Sequence, residues 1–133
     1  DADRLGQAPA HLARNRVLSF CNATLLNAEA TGALLDGLLG GFGSVDLMHV
    51  DIEGAELPLL RESRLLHRVR RLHVATHSRS IHRELRSLLR RQGLVFEFDF
   101  GYRTFPDTRF GPAPIHDGML AGTFRPESDS SAQ

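Results

Sequence analysis

Helix-like and strand-like spacings of apolar residues alternate along this chain, and this alternation constrains the fold more than any other feature. Ile81, Leu85 and Leu89 recur at intervals of four, which predicts an apolar helix face over 79–92. Within 94–100, phenylalanines alternate with acidic side chains, which is typical of a strand with one solvated face. Successive segments of these two kinds favour an α/β layer structure.

The remaining segments extend this order. Strands are predicted at 16–21, 45–51, 72–76 and 117–124, and helices at 28–40 and 55–66. Strands joined through a helix are expected to be parallel, so the second and third of these strands should be adjacent and parallel. The last strand follows a loop instead of a helix and is expected to lie antiparallel at an edge. The predicted fold is a mostly parallel α/β sheet of about five strands with one antiparallel edge strand.

Size, charge and cysteine content narrow the classes of protein. A length of 133 residues suits one domain, and a formal net charge of +0 gives no general attraction to nucleic acid or to an anionic membrane. No apolar run reaches the roughly 20 residues of a membrane span. The single cysteine, Cys21, cannot form an internal disulfide, which suits a reducing compartment. We therefore expect a cytoplasmic protein that binds neither nucleic acid nor membrane.

Ionisable side chains follow two of the predicted strands. Asp51 ends one strand, Glu53 lies two residues further on, and His77 follows the next strand. Ligands of open α/β sheets bind outside the carboxyl ends of the strands, so these side chains are expected to converge there. Two adjacent carboxylates suit a general base or a divalent metal ion bound by Asp51 and Glu53, and histidine titrates where a hydroxyl proton can be removed. The structural alternatives are a capping Asp51, a solvated Glu53 and a packing or capping His77.

Other charged residues near these strand ends are given structural roles. Glu56 is expected to stabilise the N-terminus of the following helix electrostatically. His82 is predicted to be a surface residue of the helix at 79–92. Four arginines lie opposite the leucines of that helix, which indicates a solvated face rather than a phosphate-binding surface. They are Arg79, Arg83, Arg86 and Arg90.

The segment 45–56, with the letters VDLMHVDIEGAE, resembles the motif of FkbM-type methyltransferases. Residues 74–78 (VATHS) are similar to the end of that family's next strand, and 117–118 (DG) give a weaker match before the last strand. The chain therefore resembles the C-terminal part of a Rossmann-like methyltransferase domain over 1–125. A tail at 126–133 is predicted to be disordered.

The resemblance implies methyl transfer from S-adenosylmethionine (SAM) to a hydroxyl of a sugar or another small molecule. It implies that Asp51, Glu53 and His77 orient and deprotonate this acceptor. A divalent metal ion is a further possible cofactor, indicated by the two carboxylates alone. Two features depart from the family: His49 stands where a lysine is usual, and residues 1–26 contain no glycine-rich SAM-binding turn. The SAM site is therefore expected to be incomplete, with weak or no binding of SAM. The alternative is a non-catalytic remnant or interaction module that keeps half of the methyltransferase fold.

Association with a second copy of the chain is also predicted. Half of a sheet exposes an apolar edge or face, and such surfaces invite pairing with another chain. Leu47, Val50, Leu72 and Val74 belong to strands that are expected to be central. We therefore expect a homodimer, or marginal stability of the isolated chain.

Overall fold

The computed structural model of the protein describes Leu26 and residues 28–124. Three α-helices are described there: α1 (Gly32–Gly40), α2 (Glu56–Glu62) and α3 (Arg79–Arg91). The strands are β1 (Val45–Val50), β2 (Val69–Thr76), β3 (Leu94–Phe100), β4 (Asp107–Thr108), β5 (Gly111–Pro112) and β6 (Gly118–Phe124), and a 3-10 turn spans Leu66–Arg68. The strand predicted at 16–21 and the tail predicted at 126–133 lie outside the described residues.

The first helix begins later than the sequence predicts. A start at 28 was expected, but α1 begins at Gly32, directly after Thr31. The Thr31 hydroxyl oxygen accepts a hydrogen bond from the Leu34 backbone at 3.2 Å, which satisfies one of the free N–H groups of the first turn. None of the helices described is long and apolar enough to cross a membrane.

Two strands form the parallel pair that carries the strand ends of interest. β1 pairs with β2 in parallel, with Val45 opposite Val69 and Val50 opposite Val74. This confirms the prediction that these strands are adjacent and parallel. Their carboxyl ends therefore lie at the same edge of the sheet, and the residues that follow each strand come close together.

The prediction of a mostly parallel Rossmann-like sheet with an antiparallel edge strand is wrong. The main sheet has four strands in the order β1-β2-β6-β3, and β6 is antiparallel to both of its neighbours. It lies inside the sheet, and β1–β2 is the one parallel pair among the strands described. β4 and β5 form a separate two-stranded sheet.

Small residues explain why β6 fits inside the sheet. Leu120 and Ala121 are fully buried, which an edge strand with a solvated face would not allow for both. A Cβ atom at Gly122 would lie 2.2 Å from the Val95 carbonyl oxygen, so the neighbouring strand approaches at a distance that only glycine permits. The long connection from β3 contains no crossover helix, and β6 therefore returns antiparallel beside it.

The described residues form two layers. Side chains from one face of the sheet join all three helices in a single core, which includes Leu72, Val74, Leu85, Leu89 and Leu120. The opposite face, here called the open face, carries four large apolar side chains that are more than two-fifths exposed. They are Leu47, Val95, Phe98 and Met119.

Candidate functional site

The connection from β1 to α2 is a tight turn built around one carboxylate. Residues 51–55 reverse direction through two left-handed positions, Glu53 with φ 55° and Gly54 with φ 104°. Glycine adopts this conformation readily, whereas a non-glycine residue such as Glu53 adopts it uncommonly. The turn wraps around the side chain of Glu56, whose Oε1 accepts hydrogen bonds from the backbone N–H groups of Ile52 at 3.3 Å and Gly54 at 3.0 Å.

The same oxygen binds the histidine of the neighbouring strand end. Glu56 is fully buried, and its Oε1 lies 2.7 Å from Nδ1 of His77, the residue that directly follows β2. An ionised carboxylate can only accept a hydrogen bond, so the hydrogen lies on Nδ1. In the neutral ring, Nε2 then carries the lone pair and is the atom available for chemistry.

The second ring nitrogen of His77, Nε2, faces the other two residues singled out in the sequence. Its Nε2 lies 3.3 Å from Asp51 Oδ1 and 3.7 Å from Glu53 Oε2. The predicted convergence of these three side chains is therefore confirmed. The His77 side chain is 15% exposed, while those of Asp51 and Glu53 are 52% and 90% exposed, so the imidazole is enclosed and the carboxylates face the solvent.

Electrostatics favour an ion pair between Glu56 and His77. Burial raises the pKa of the Glu56 carboxyl, but hydrogen bonds from the Gly54 backbone, from His77 and from other N–H groups of the turn hold this pKa below its ordinary value of 4.5. Burial lowers the pKa of His77, but the hydrogen bond to Glu56 and the charges of Glu56, Glu53 and Asp117 raise it above its ordinary value of 6.5. The imidazole is therefore a stronger base than a free histidine.

Glu56 does more than the sequence indicated. It lies in the first turn of α2, where a negative charge is favourable, as expected. Its main contacts, however, are with the preceding turn and with His77, which is 21 residues away in sequence. A local signal existed, because a glutamate that follows a glycine turn at a helix start can reach back to the free N–H groups of that turn.

The prediction that His82 lies at the surface is wrong. His82 is 8% exposed, and its Nδ1 lies 2.9 Å from the hydroxyl of Thr76 while its Nε2 lies 3.0 Å from Asp99 Oδ1. Arg86, expected on a solvated face, forms an ion pair with the other oxygen of Asp99. The helical spacing places His82 on the leucine face of α3, so its burial could be predicted from the sequence, whereas its polar partners at the ends of β2 and β3 could not.

Other residues noted in the sequence lie away from His77. His49, at the position where the FkbM motif usually has lysine, lies on the open face. Its ring centroid is 6.5 Å from that of His73. The site thus consists of the two strand ends and the turn at 51–55.

Residues of α1 contribute to the walls of two cavities. An apolar cavity of about 180 Å³ lies between α1 and β1 and is lined by residues such as Leu38, Met48 and Leu59. A polar cavity of about 650 Å³ is lined by Ala33, Asp36, Glu62 and Arg64. The apolar cavity is also lined by Val50 at the end of β1 and by Ile52 of the turn, whereas Asp51, Glu53 and His77 line neither cavity.

Asp51, Glu53 and His77 each offer one ligand atom within 4.8 Å of the others, so the site brings together two carboxylates and one oriented imidazole. The resemblance to FkbM-type methyltransferases stays a prediction. Comparisons of the chain with known protein families, with curated proteins and with solved structures find no match.

Proposed function

We propose that this chain carries the acceptor side of a SAM-dependent O-methyltransferase, with a small-molecule hydroxyl as the group that receives the methyl. The observation that carries the proposal is the orientation of His77: buried Glu56 binds its Nδ1, and its Nε2 faces Asp51, Glu53 and the solvent. A base that is oriented by one carboxylate and flanked by others is suited to removing a proton from a bound hydroxyl.

Each residue has a definite part in this reaction. In this proposal an acceptor hydroxyl hydrogen-bonds to both Asp51 and His77, and it gives its proton to the Nε2 lone pair of the neutral His77 ring as its oxygen takes the methyl group. The imidazolium that forms is stabilised by the charges of Glu56 and Glu53. Asp51 Oδ1 lies 3.3 Å from Nε2, so it orients the hydroxyl and is close to the path of the proton from the hydroxyl to Nε2. Positioning and proton removal together supply the catalytic contribution of these residues.

The described residues do not fit SAM itself. The turn after β1 is acidic and the turn after β2 begins with His77, so neither has the glycine-rich backbone that approaches a nucleotide cofactor closely. The apolar cavity of about 180 Å³ is below the roughly 300–1,000 Å³ of small-molecule pockets, and the polar cavity of about 650 Å³ is lined by no residue of the site. SAM's part is to supply the methyl group, and the residues described here act on the acceptor alone.

The donor set also fits a divalent metal ion. Oxygen atoms of Asp51 and Glu53 and Nε2 of His77 would bind it, and the hydrogen bond from Nδ1 to Glu56 is the type of outer contact that orients metal-binding histidines. A bound metal ion would lower the pKa of the acceptor hydroxyl, so the hydroxyl could lose its proton without a histidine base. Chelation separates the two mechanisms, because EDTA abolishes transfer in the metal-dependent one and leaves transfer by a histidine base unchanged.

The test is methyl transfer from isotopically labelled SAM to a panel of sugars and other hydroxyl compounds. SAM is used at millimolar concentration, since weak binding is expected, and the reaction is run with and without Mn²⁺. We expect transfer by the natural protein and a loss of about 10²- to 10⁴-fold in His77→Gln. His67→Gln, which changes an exposed histidine outside the site, is the matched control. Absence of transfer under every condition, or equal rates in the two variants, contradicts the proposal.

One observation favours a second candidate, a non-catalytic interaction module. The open face carries Leu47, Val95, Phe98 and Met119 at the surface, and exposed apolar patches commonly mark protein interfaces. An interaction module would show no methyl transfer with any acceptor and would retain its association when His77 is replaced. The labelled-SAM assay and light scattering on the same preparations therefore separate the two candidates.

A further inference from the structure

A second histidine connects three elements next to the proposed site, at the residue that precedes His77. His82 of α3 contacts the Thr76 hydroxyl at the end of β2 and the Asp99 carboxylate of β3. Thr76 is fully buried, and Asp99 is also paired with Arg86. This Thr76–His82–Asp99 network plays no part in the proton transfer proposed above, and it ends one residue before His77.

The hydrogen-bond chemistry gives the network a direction. Asp99 can only accept, so His82 Nε2 donates to it at 3.0 Å. In the neutral ring Nδ1 then accepts, and the Thr76 hydroxyl donates to it at 2.9 Å. The rotamer of Thr76 is thus fixed by His82, which is held by Asp99, and Asp99 is in turn paired with Arg86.

The space around the network is filled. Gly118 of β6 lies opposite Thr76 in the sheet. A Cβ atom at Gly118 would lie 2.3 Å from the Thr76 hydroxyl oxygen and 2.8 Å from His82 Nδ1. Only glycine leaves room for this pair, so the end of β2 is held between β6 on one side and α3 on the other.

We propose that Thr76, His82 and Asp99 are positioning residues, which fix the end of β2 so that the His77 ring keeps Nδ1 on Glu56 and Nε2 towards Asp51. The inference rests on the site of the proposed function, although it requires no methyl transfer. Thr76 and His77 share a peptide bond, so the backbone torsions of His77 follow from how firmly Thr76 is held. A network that only filled the core would stabilise the fold without affecting the tautomer of His77.

The ¹⁵N chemical shifts of the His77 ring report its tautomer. They are measured on the metal-free protein with EDTA, at a pH high enough that the imidazole is neutral. The natural protein should show one tautomer, with hydrogen on Nδ1. Thr76→Val, which keeps the side-chain shape and removes the hydroxyl, should lose this single tautomer and show a mixture. Thr76→Ser restores the hydroxyl and should restore the single tautomer.

The matched control is Thr123→Val. The Thr123 hydroxyl also donates to a side chain, Glu97 at 2.9 Å, but on a different part of the sheet. His77 should keep its tautomer in this variant. His82→Leu serves as a second disruption of the network, and Thr76→Val decides the outcome if His82→Leu does not fold.

A folded Thr76→Val protein with an unchanged His77 tautomer overturns the proposal, even if its melting temperature falls. If methyl transfer is established, Thr76→Val should also lower kcat by up to about 100-fold with little change in KM, because misplacing a reacting group affects the chemical step. Absence of methyl transfer in the natural protein contradicts the proposed function alone, since the tautomer measurement needs neither SAM nor acceptor.

Discussion

Oε1 of Glu56 accepts hydrogen bonds from two backbone N–H groups and from His77. These donors come from the turn after β1 and from the end of β2, so one carboxylate connects both halves of the site. Because Glu56 is fully buried, loss of its charge leaves donors without an ionised acceptor in a place that water does not reach.

The Glu56–His77 pair makes stability depend on pH in both directions. The pKa of Glu56 is lowered by folding, so its contribution is present above its unfolded pKa of 4.5 and is lost as pH falls through the folded value. The pKa of His77 is raised by folding, so its contribution is present below its unfolded pKa of 6.5 and is lost as pH rises through the folded value. Both contributions are present together between these two unfolded pKa values.

Glu56→Gln tests this pair. We expect the variant to lose about 1.5–3 kcal/mol of unfolding free energy at pH 5.5, the range for hydrogen bonds that involve a charged group. The loss should be smaller at pH 8.5, where a smaller fraction of His77 is protonated than at pH 5.5. Urea denaturation at both pH values measures it, with exposed Glu29→Gln as the control. An equal loss at pH 5.5 and pH 8.5 would show that the ion pair contributes nothing.

Residues that follow strand ends were predictable, whereas those that support them were not. Asp51, Glu53 and His77 could be identified because parallel strands end at one edge of a sheet. Glu56 lies in a first helical turn whose pattern fits a surface residue equally well, and the helical spacing places His82 on the leucine face without indicating its polar partners. Their partners lie 21 and 17 residues away, and such contacts depend on how the elements pack.

Among the elements, β6 determines how the sheet is completed. The bounds of β3 and α3 were predicted to within a residue, and the parallel pairing of β1 with β2 was predicted correctly. The place of β6 between β2 and β3 was not, because strand order depends on side-chain size at the close approaches. Its two glycines, Gly118 and Gly122, allow the neighbouring strands to approach closely. In the sequence, however, glycine is unfavourable for a strand and does not indicate a central one.

Gly118→Ala tests the close approach at β6. The added methyl group would meet the Thr76 hydroxyl and also the Tyr102 backbone nitrogen at 2.9 Å, which cannot move as a side chain tip can. We expect a loss of about 1–3 kcal/mol, typical of overpacking. Gly37→Ala is the control, since no atom lies within 4 Å of its added Cβ and helix α1 should gain about 0.5–1 kcal/mol. Thermal melts of both variants measure the difference, and a neutral Gly118→Ala would contradict this packing.

The whole molecule, as far as residues 28–124 describe it, is a helical layer on one side of a four-stranded sheet. Three of the four apolar residues expected to contribute to an exposed apolar edge or face are buried under the helices: Val50, Leu72 and Val74. Leu47 is 53% exposed and belongs to the open face instead. Association of two copies, still a prediction, would therefore use the open face.

Phe98→Glu tests association through the open face. A charge at this half-exposed position should weaken a dimer by preventing burial of the surrounding apolar side chains. The control is Phe110→Glu, which makes the same substitution on the loop between β4 and β5. This variant should leave association unchanged. Light scattering across a concentration series measures the molecular mass. A monomeric natural protein at high concentration, with a melting temperature well above about 65 °C, would contradict the prediction.

The most direct test of the proposed site is turnover and melting temperature measured together in Asp51→Asn. Asp51 lies half exposed beside His77 Nε2. If it orients the hydroxyl or shares the proton, methyl transfer should fall by about 10²- to 10⁴-fold while the melting temperature stays nearly unchanged. A structural carboxylate would instead cost about 1 kcal/mol of stability with little effect on turnover. Near-normal turnover in a destabilised Asp51→Asn protein would contradict a role for Asp51 in the reaction.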